Sequence, residues 1–470
     1  SKSAHLLELP VIQWMHSEHI TQIDEVRDST LEDMKTKGFK YILLSGSWAV
    51  GKQGKASAML RHRTGEFKRT LPDVTAADIL GTRLAPLTPL QLDSYIGSIR
   101  SLSTFRSRLS PTNLLLDFVA NHTARDASWT VEHPEYYIYD KKLNIALATS
   151  DKFRWEDTAQ INIWCDKVRK VLIDQVLFVA GICDGIRCNM ADLCLNEHIT
   201  KTWRSFMINH KFKRPETEFW TDCIKKVKES YPSCIFIAET SPQCTFSQQE
   251  FLALGFDYVY KQEWPSLLES GHLDNIRHFI SSQSSKSLQS SVFKTCCNQS
   301  ISNVLNFGSQ ERACCASALT YILPGLHVHK MGQHEGAENE CDIRLRRQSK
   351  IETNIQTKQF FDILQSILKS KVFSNGRWEY LPVNGEESSW RLIACRWRHR
   401  QEKRLCVVNF SDSPGNGLIV LSNAEPDGNQ ETIPIFELIS NQTYLRQVST
   451  LRNTGLRVQV NAYTIQIFKY

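Results

Sequence analysis

Three apolar runs in this chain each close on a group of polar side chains. They are Leu114-Leu-Leu-Asp-Phe-Val-Ala-Asn-His122, residues 182–192, and Cys234-Ile-Phe-Ile-Ala-Glu239. The middle run follows an amphipathic helix pattern, with Val168, Val171, Leu172, Val176 and Val179 at steps of three and four. Gly181 is expected to stop that helix in a left-handed turn. Helix, short buried strand, then polar groups at the strand's C-terminal end is how an (α/β) barrel presents its site. The chain therefore predicts a barrel with Arg187, Asn189 and Asp192 at the mouth of a central strand.

The remaining elements are read around that frame. Residues 6–15 read as a first strand and 39–44 as a second, with a polar loop over 46–70. A helix is expected over 89–109, with Leu90, Tyr95, Ile99 and Leu102 as its inner face. An aromatic insertion (Trp129, Tyr136, Tyr137, Tyr139, Trp155) occupies about 123–163. Residues 256–259, 304–307 and 321–323 are the later strand candidates. Beyond about residue 384 the period changes to alternating apolar runs separated by turn residues, which predicts an antiparallel sandwich. The fold class is thus α/β: a (β/α)8 TIM barrel over 1–383 and a C-terminal antiparallel β-sandwich over 384–470.

Composition narrows the function classes. A net charge of +6 from 56 basic and 50 acidic residues is mild and gives no reason to expect nucleic acid. The basic stretch Arg396-Trp-Arg-His-Arg400, with Lys403 and Arg404, reads as the solvated tip of a hairpin. Fourteen cysteines, some adjacent (Cys296-Cys297, Cys314-Cys315) and some single on apolar strands, fit free buried thiols better than a disulfide framework. No apolar run reaches about 18 residues, so no membrane span is expected. The N-terminus lacks a signal pattern, and a cytoplasmic setting is the expectation, or an extracellular one for a processed fragment. A protein partner is not identifiable.

The motifs carry a family resemblance. Asp117-Phe-Val-Ala-Asn-His122, Glu132-His-Pro-Glu-Tyr136, Asp157-Thr-Ala-Gln160, Gly185-Ile-Arg-Cys-Asn-Met-Ala191, Ile237-Ala-Glu239 and the segment 325–336 follow one another in the order of the α-amylase superfamily, glycoside hydrolase family 13. The chain resembles in particular its bacterial-type branch. The resemblance implies a retaining mechanism, in which a carboxylate nucleophile and a carboxylic acid about 5 Å apart flank the glycosidic bond. On this chain Glu239 matches the acid/base, Arg187 the arginine beside the nucleophile, and His122 a histidine that holds the sugar. Asp192 falls in the turn that faces the acceptor sugar.

Three positions and one loop depart from the pattern. The nucleophile position is Asn189, whose neutral amide cannot form a glycosyl ester. With Arg312 as anchor, the histidine and stabilising carboxylate of the family become Gly308 and Ser309. The loop Thr82-Arg-Leu-Ala-Pro86 also lacks the family's tyrosine and aspartate. Glu239 is then left with Arg187 and His122 as neighbours and no nearby carboxylate. An ion pair between Glu239 and Arg187 is the structural alternative, and Asp117 and Asn121 read as loop supports. Cys188, on the opposite strand face from Asn189, reads as core.

The family's use of the Asn121 position for calcium would need oxygen ligands from the insertion, where Asp126, Glu132 and Asp140 are available. No other cofactor is expected. The resemblance thus implies an α-amylase-like protein of carbohydrate metabolism, read as a pseudo-glycosidase that binds an α-glucan or oligosaccharide or serves as a scaffold. The alternatives are an α-glucosidic hydrolase or transglycosidase with residual activity, and an active enzyme trapped by an engineered Asp-to-Asn change.

Overall fold

The protein is described from a computed structural model covering residues 2–150, 153–209, 212–298, 300–385, 387–425 and 430–470. Eight strands close into a barrel in sequence order: β1 (Ser3–Pro10), β2 (Tyr41–Ser45), β3 (Asn113–Phe118), β4 (Gly185–Cys188), β5 (Ile235–Ala238), β6 (Tyr258–Tyr260), β7 (Ser291–Phe293) and β8 (Gly325–Lys330). The registers are parallel, for example Leu44 with Leu116 and Arg187 with Ile237. Parallel barrel strands are covered on both faces, which explains unbroken apolar runs such as Ile42-Leu43-Leu44 and Leu114-Leu115-Leu116, all fully buried.

Contacts divide the chain into two compact units, one of residues 6–262 and 340–350, the other of 1–5, 263–339 and 351–470. In the first unit two aspartates lock the N-terminal ends of the strands. Asp184, just before β4, accepts the Leu114 N–H of β3 at 2.8 Å and holds Arg106 at 2.6 Å. Asp257, just before β6, accepts the Phe236 N–H of β5 at 2.8 Å and pairs with Lys228 at 2.9 Å. Each gives a charged acceptor to a strand N–H. Asp257→Ala is therefore expected to lower stability by about 1.5–3 kcal/mol in urea denaturation. A loss below about 0.5 kcal/mol would show that water replaces the carboxylate there.

In the second unit the chain forms β9 (Arg377–Leu381), β10 (Leu392–His399), β11 (Glu402–Asn409), β12 (Gly415–Ile419), β13 (Thr432–Glu437), β14 (Gln442–Gln447), β15 (Leu456–Val460) and β16 (Thr464–Lys469). The large sheet runs β9-β10-β11-β16-β13-β14, and β12 pairs with β15 in a second sheet. Period-two alternation sends the two faces of β10 and β11 into different cores. Leu392, Ala394, Leu405 and Val407 meet Ile419, Leu456 and Val458 of the second sheet, forming the sandwich. Cys395, Trp397, Cys406 and Val408 pack with Leu319 and Tyr321 of the helix Gln310–Tyr321. The hairpin falls where the basic stretch predicts it, but the stretch is not wholly solvated. Arg396 and Arg404 are buried, paired with Glu379 at 2.5 Å and Glu402 at 2.9 Å, because their strands carry them into the sheet.

Several element readings are corrected. The first strand stops at Pro10, and Val11–Ser17 is helical, since proline at φ −66° enters a helix without needing its missing N–H. The expected helix over 89–109 begins only at Ile99, where Ser98 caps it by accepting from Ser101 N–H. Residues 304–307 lie in a helix, Asn303–Phe307, and the last barrel strand follows Tyr321 rather than containing it. The polar loop contains a helix, Lys52–Arg63. Gly181 ends nothing: the helix Asp166–Ile182 runs through it, packed so that a Cβ there would sit 3.0 Å from the Tyr231 hydroxyl. All fourteen cysteines are free, and no described helix is long and apolar enough to cross a membrane.

Candidate active site

The ends of β3, β4 and β5 are laced together by backbone bonds. Asn189 N–H donates to Phe118 C=O at 2.9 Å, Glu239 N–H to Cys188 C=O at 3.0 Å, and Ala191 N–H to Glu239 C=O at 2.8 Å. Between them Met190 turns the chain in the left-handed region, φ 42°. A non-glycine residue held there stores about 1–3 kcal/mol of strain, a feature of built sites. This lacing brings Asn189 and Glu239 side by side. The Asn189 Nδ2 donates to Glu239 Oε2 at 2.8 Å, with Asn189 buried and Glu239 half-buried. An amide thus answers the Glu239 carboxylate at this strand end.

Arg187 does not form the expected ion pair with Glu239. Its Nε and Nη2 grip Asp117 at 2.6 and 3.1 Å, and its Nη1 donates to Glu8 Oε1 at 2.8 Å, with the Tyr260 hydroxyl at 3.5 Å. Arg187 and Asp117 have side chains only 4% and 3% exposed, so the pair is desolvated. Burial pushes the Asp117 carboxyl up to about 6 against the pull of Arg187, with Glu8 and Glu239 adding to the rise. Burial alone would lower Arg187, but Asp117 and then Glu8 hold it well above its usual value. The site therefore contains carboxylates near Glu239 that the sequence reading did not place there.

His122 begins a short ladder, His122–Ala124 with Thr158–Gln160, in the insertion. Its Nε2 donates to the Leu84 carbonyl at 2.8 Å, and its Nδ1 accepts from Asn121 Nδ2 at 3.2 Å, an assignment set by the network. The ring lies against Trp155, centroids 6.0 Å apart at 30°. Burial pushes His122 down to about 4, the Leu84 bond opposing. The unfolded imidazole takes its proton near 6.5, so His122 withdraws stability as pH falls from 6.5 towards 4, by up to about 1.4 kcal/mol per unit. An NMR titration of labelled histidine should place its midpoint near 4, and a midpoint near 6.5 would contradict this burial.

The other predicted residues have local partners. Asp192 is buried and accepts the Ser241 N–H at 2.8 Å and its hydroxyl at 2.5 Å, so it braces the loop after β5. Burial raises its carboxyl. Asn121 Oδ1 accepts from Gln160 Nε2 at 3.1 Å. Asp126 accepts the Lys52 N–H at 2.7 Å, Glu132 the Ser128 hydroxyl at 3.3 Å, and Asp140 the Lys142 N–H at 2.8 Å. Each of these four residues thus has a hydrogen-bond partner of its own. Among the described residues no group of three or more His, Cys, Asp or Glu is placed to hold a metal ion. Cys188 is buried, as the strand alternation predicts.

In the second unit Gly308 ends the helix Asn303–Phe307 at φ 80°, and Ser309 caps the next helix by accepting Arg312 N–H at 3.1 Å. Gly308 and Ser309 together form the junction between these two helices. Sequence reasoning missed Glu8, Tyr260 and Arg83. Arg83 is buried in the loop after Gly81, paired with Asp93 at 2.6 Å and bonded to the Gly46 and Trp48 carbonyls. An isolated charge in an apolar strand, Glu8 between Leu7 and Leu9, was the one available signal.

No protein-family model matches the chain, and no curated protein matches it significantly. Solved structures do. A maltogenic α-amylase of Thermotoga neapolitana superposes with a TM-score of 0.74 at 17% identity, covering 100% of this chain and 99% of its own. An α-amylase of Lactobacillus plantarum gives 0.72 at 14%, with the same coverage. The α-amylase of Geobacillus thermoleovorans, complexed with acarbose, gives 0.69 at 12%, covering 100% of this chain and 98% of its own. The chain has the fold of the α-amylases over its whole length.

Proposed function

We propose that this protein is a pseudo-glycosidase that binds an α-glucan at the barrel mouth without cleaving it. The observation that carries the reading is the Asn189 amide seated on Glu239 at 2.8 Å. A retaining cleavage needs an anionic oxygen at the first position and a proton on the second. Here the first supplies an N–H donor, which stabilises the second as an acceptor for hydroxyls. Half-buried Trp155, stacked on His122, offers a ring for a sugar face. The α-amylase fold and the acarbose complex of the similar Geobacillus thermoleovorans enzyme favour an oligosaccharide ligand.

Calorimetric titration with maltoheptaose tests the reading. Saturable binding that Trp155→Ala weakens at least tenfold is expected. Absence of heat at millimolar maltoheptaose would replace ligand binding with a scaffold role.

A further inference from the structure

We infer that Glu8 has taken over the negative charge that position 189 lacks, so that Arg187 keeps two carboxylate partners in a site whose nucleophile position is an amide. The inference rests on the assignment of Asn189 to the nucleophile position and not on glucan binding. Its geometry is direct. Arg187 is held from one side by both oxygens of Asp117 and from another by Glu8 Oε1 at 2.8 Å. The Glu8 side chain is only 13% exposed. A buried guanidinium needs anionic partners close by, and losing one leaves an uncompensated charge.

Asn189 contributes none: its amide turns to Glu239. Were residue 189 a carboxylate, it would stand against Glu239 with Asp117 and Glu8 already at the Arg187 guanidinium. Like charges this close disfavour one another's ionised forms. Glu8 and an acidic residue 189 are thus alternatives. Glu8 is a positioning residue: acting through Arg187, it holds β1 (Ser3–Pro10) and β4 (Gly185–Cys188) in one charge network.

A charge-transplant cycle tests this, using the full chain and urea unfolding at pH 7. The variants are Glu8→Gln, Asn189→Asp, the double variant, and Glu8→Gln with Asn189→Leu as the neutral control. Each single change is expected to raise the unfolding equilibrium constant at least tenfold. The double variant is expected to recover at least tenfold relative to the product of the two singles, and the control is not. If Glu8→Gln alone does not fold, soluble expression of the double variant but not of the control gives the same answer. Additive effects within threefold, or no recovery of folding in the double variant, would overturn the proposal and leave Glu8 a merely structural partner.

Discussion

Asn189→Asp alone is expected to leave maltooligosaccharide hydrolysis at least about 10³-fold below ordinary amylase rates, since losses among residues that act as a unit do not reverse one at a time. The change restores an anionic oxygen next to Glu239. It also adds a carboxylate against Glu239 while the Arg187 guanidinium is already held by Asp117 and Glu8. On the assignment implied by the resemblance, the stabilising carboxylate remains absent, since Ser309 stands there and caps a helix. Its neighbour Gly308 sits at φ 80°, a conformation that a reintroduced histidine adopts only with strain. Missing support of an oxocarbenium-like state costs several kcal/mol by analogy with other transition-state contacts. The check is release of reducing ends from maltoheptaose by purified single and double (Glu8→Gln with Asn189→Asp) variants. Ordinary rates from the single variant would mean that the damage is confined to residue 189 and that the protein is a trapped active enzyme.

The largest stability effect is expected at the Asp117–Arg187 pair. Arg187→Met should destabilise the protein by about 3–5 kcal/mol, because it leaves Asp117 and Glu8 buried without a cation. Asp117→Asn should have a smaller effect, since Glu8 still answers Arg187. Burial already holds the Asp117 carboxyl near 6, so its ionised form is the one that needs Arg187. Denaturant unfolding at pH 7 measures both. Equal and small losses, under about 1 kcal/mol each, would show that water reaches the pair.

The barrel was legible because parallel strands buried on both faces read as apolar runs, and because three of them end in polar groups. Leu114-Leu115-Leu116 leading to Asp117 states both facts in one stretch. The apolar runs of β10 and β11 likewise foretold the C-terminal sandwich. Short or weakly apolar elements were not legible. Asn303–Phe307 is too short to show a helical period, and Lys52–Arg63 buries only Gly54 and Ala58. At the site, the positions of Asn189, Arg187 and Glu239 were readable from motif order, but their partners were not. Glu8 and Arg187 lie 179 residues apart, and nothing local to either announces the pair. The carboxyl reach of Asp192 to Ser241 and the Leu84 carbonyl on His122 are long-range bonds of the same kind.

The measurement that tests the central claim most directly is ¹H NMR of maltoheptaose with stoichiometric wild-type protein, followed for a day at pH 7. Broadened or shifted sugar resonances with no growth of new reducing-end anomeric signals are the predicted result. Growth of those signals, abolished by Glu239→Gln, would contradict the claim that the site binds without cutting.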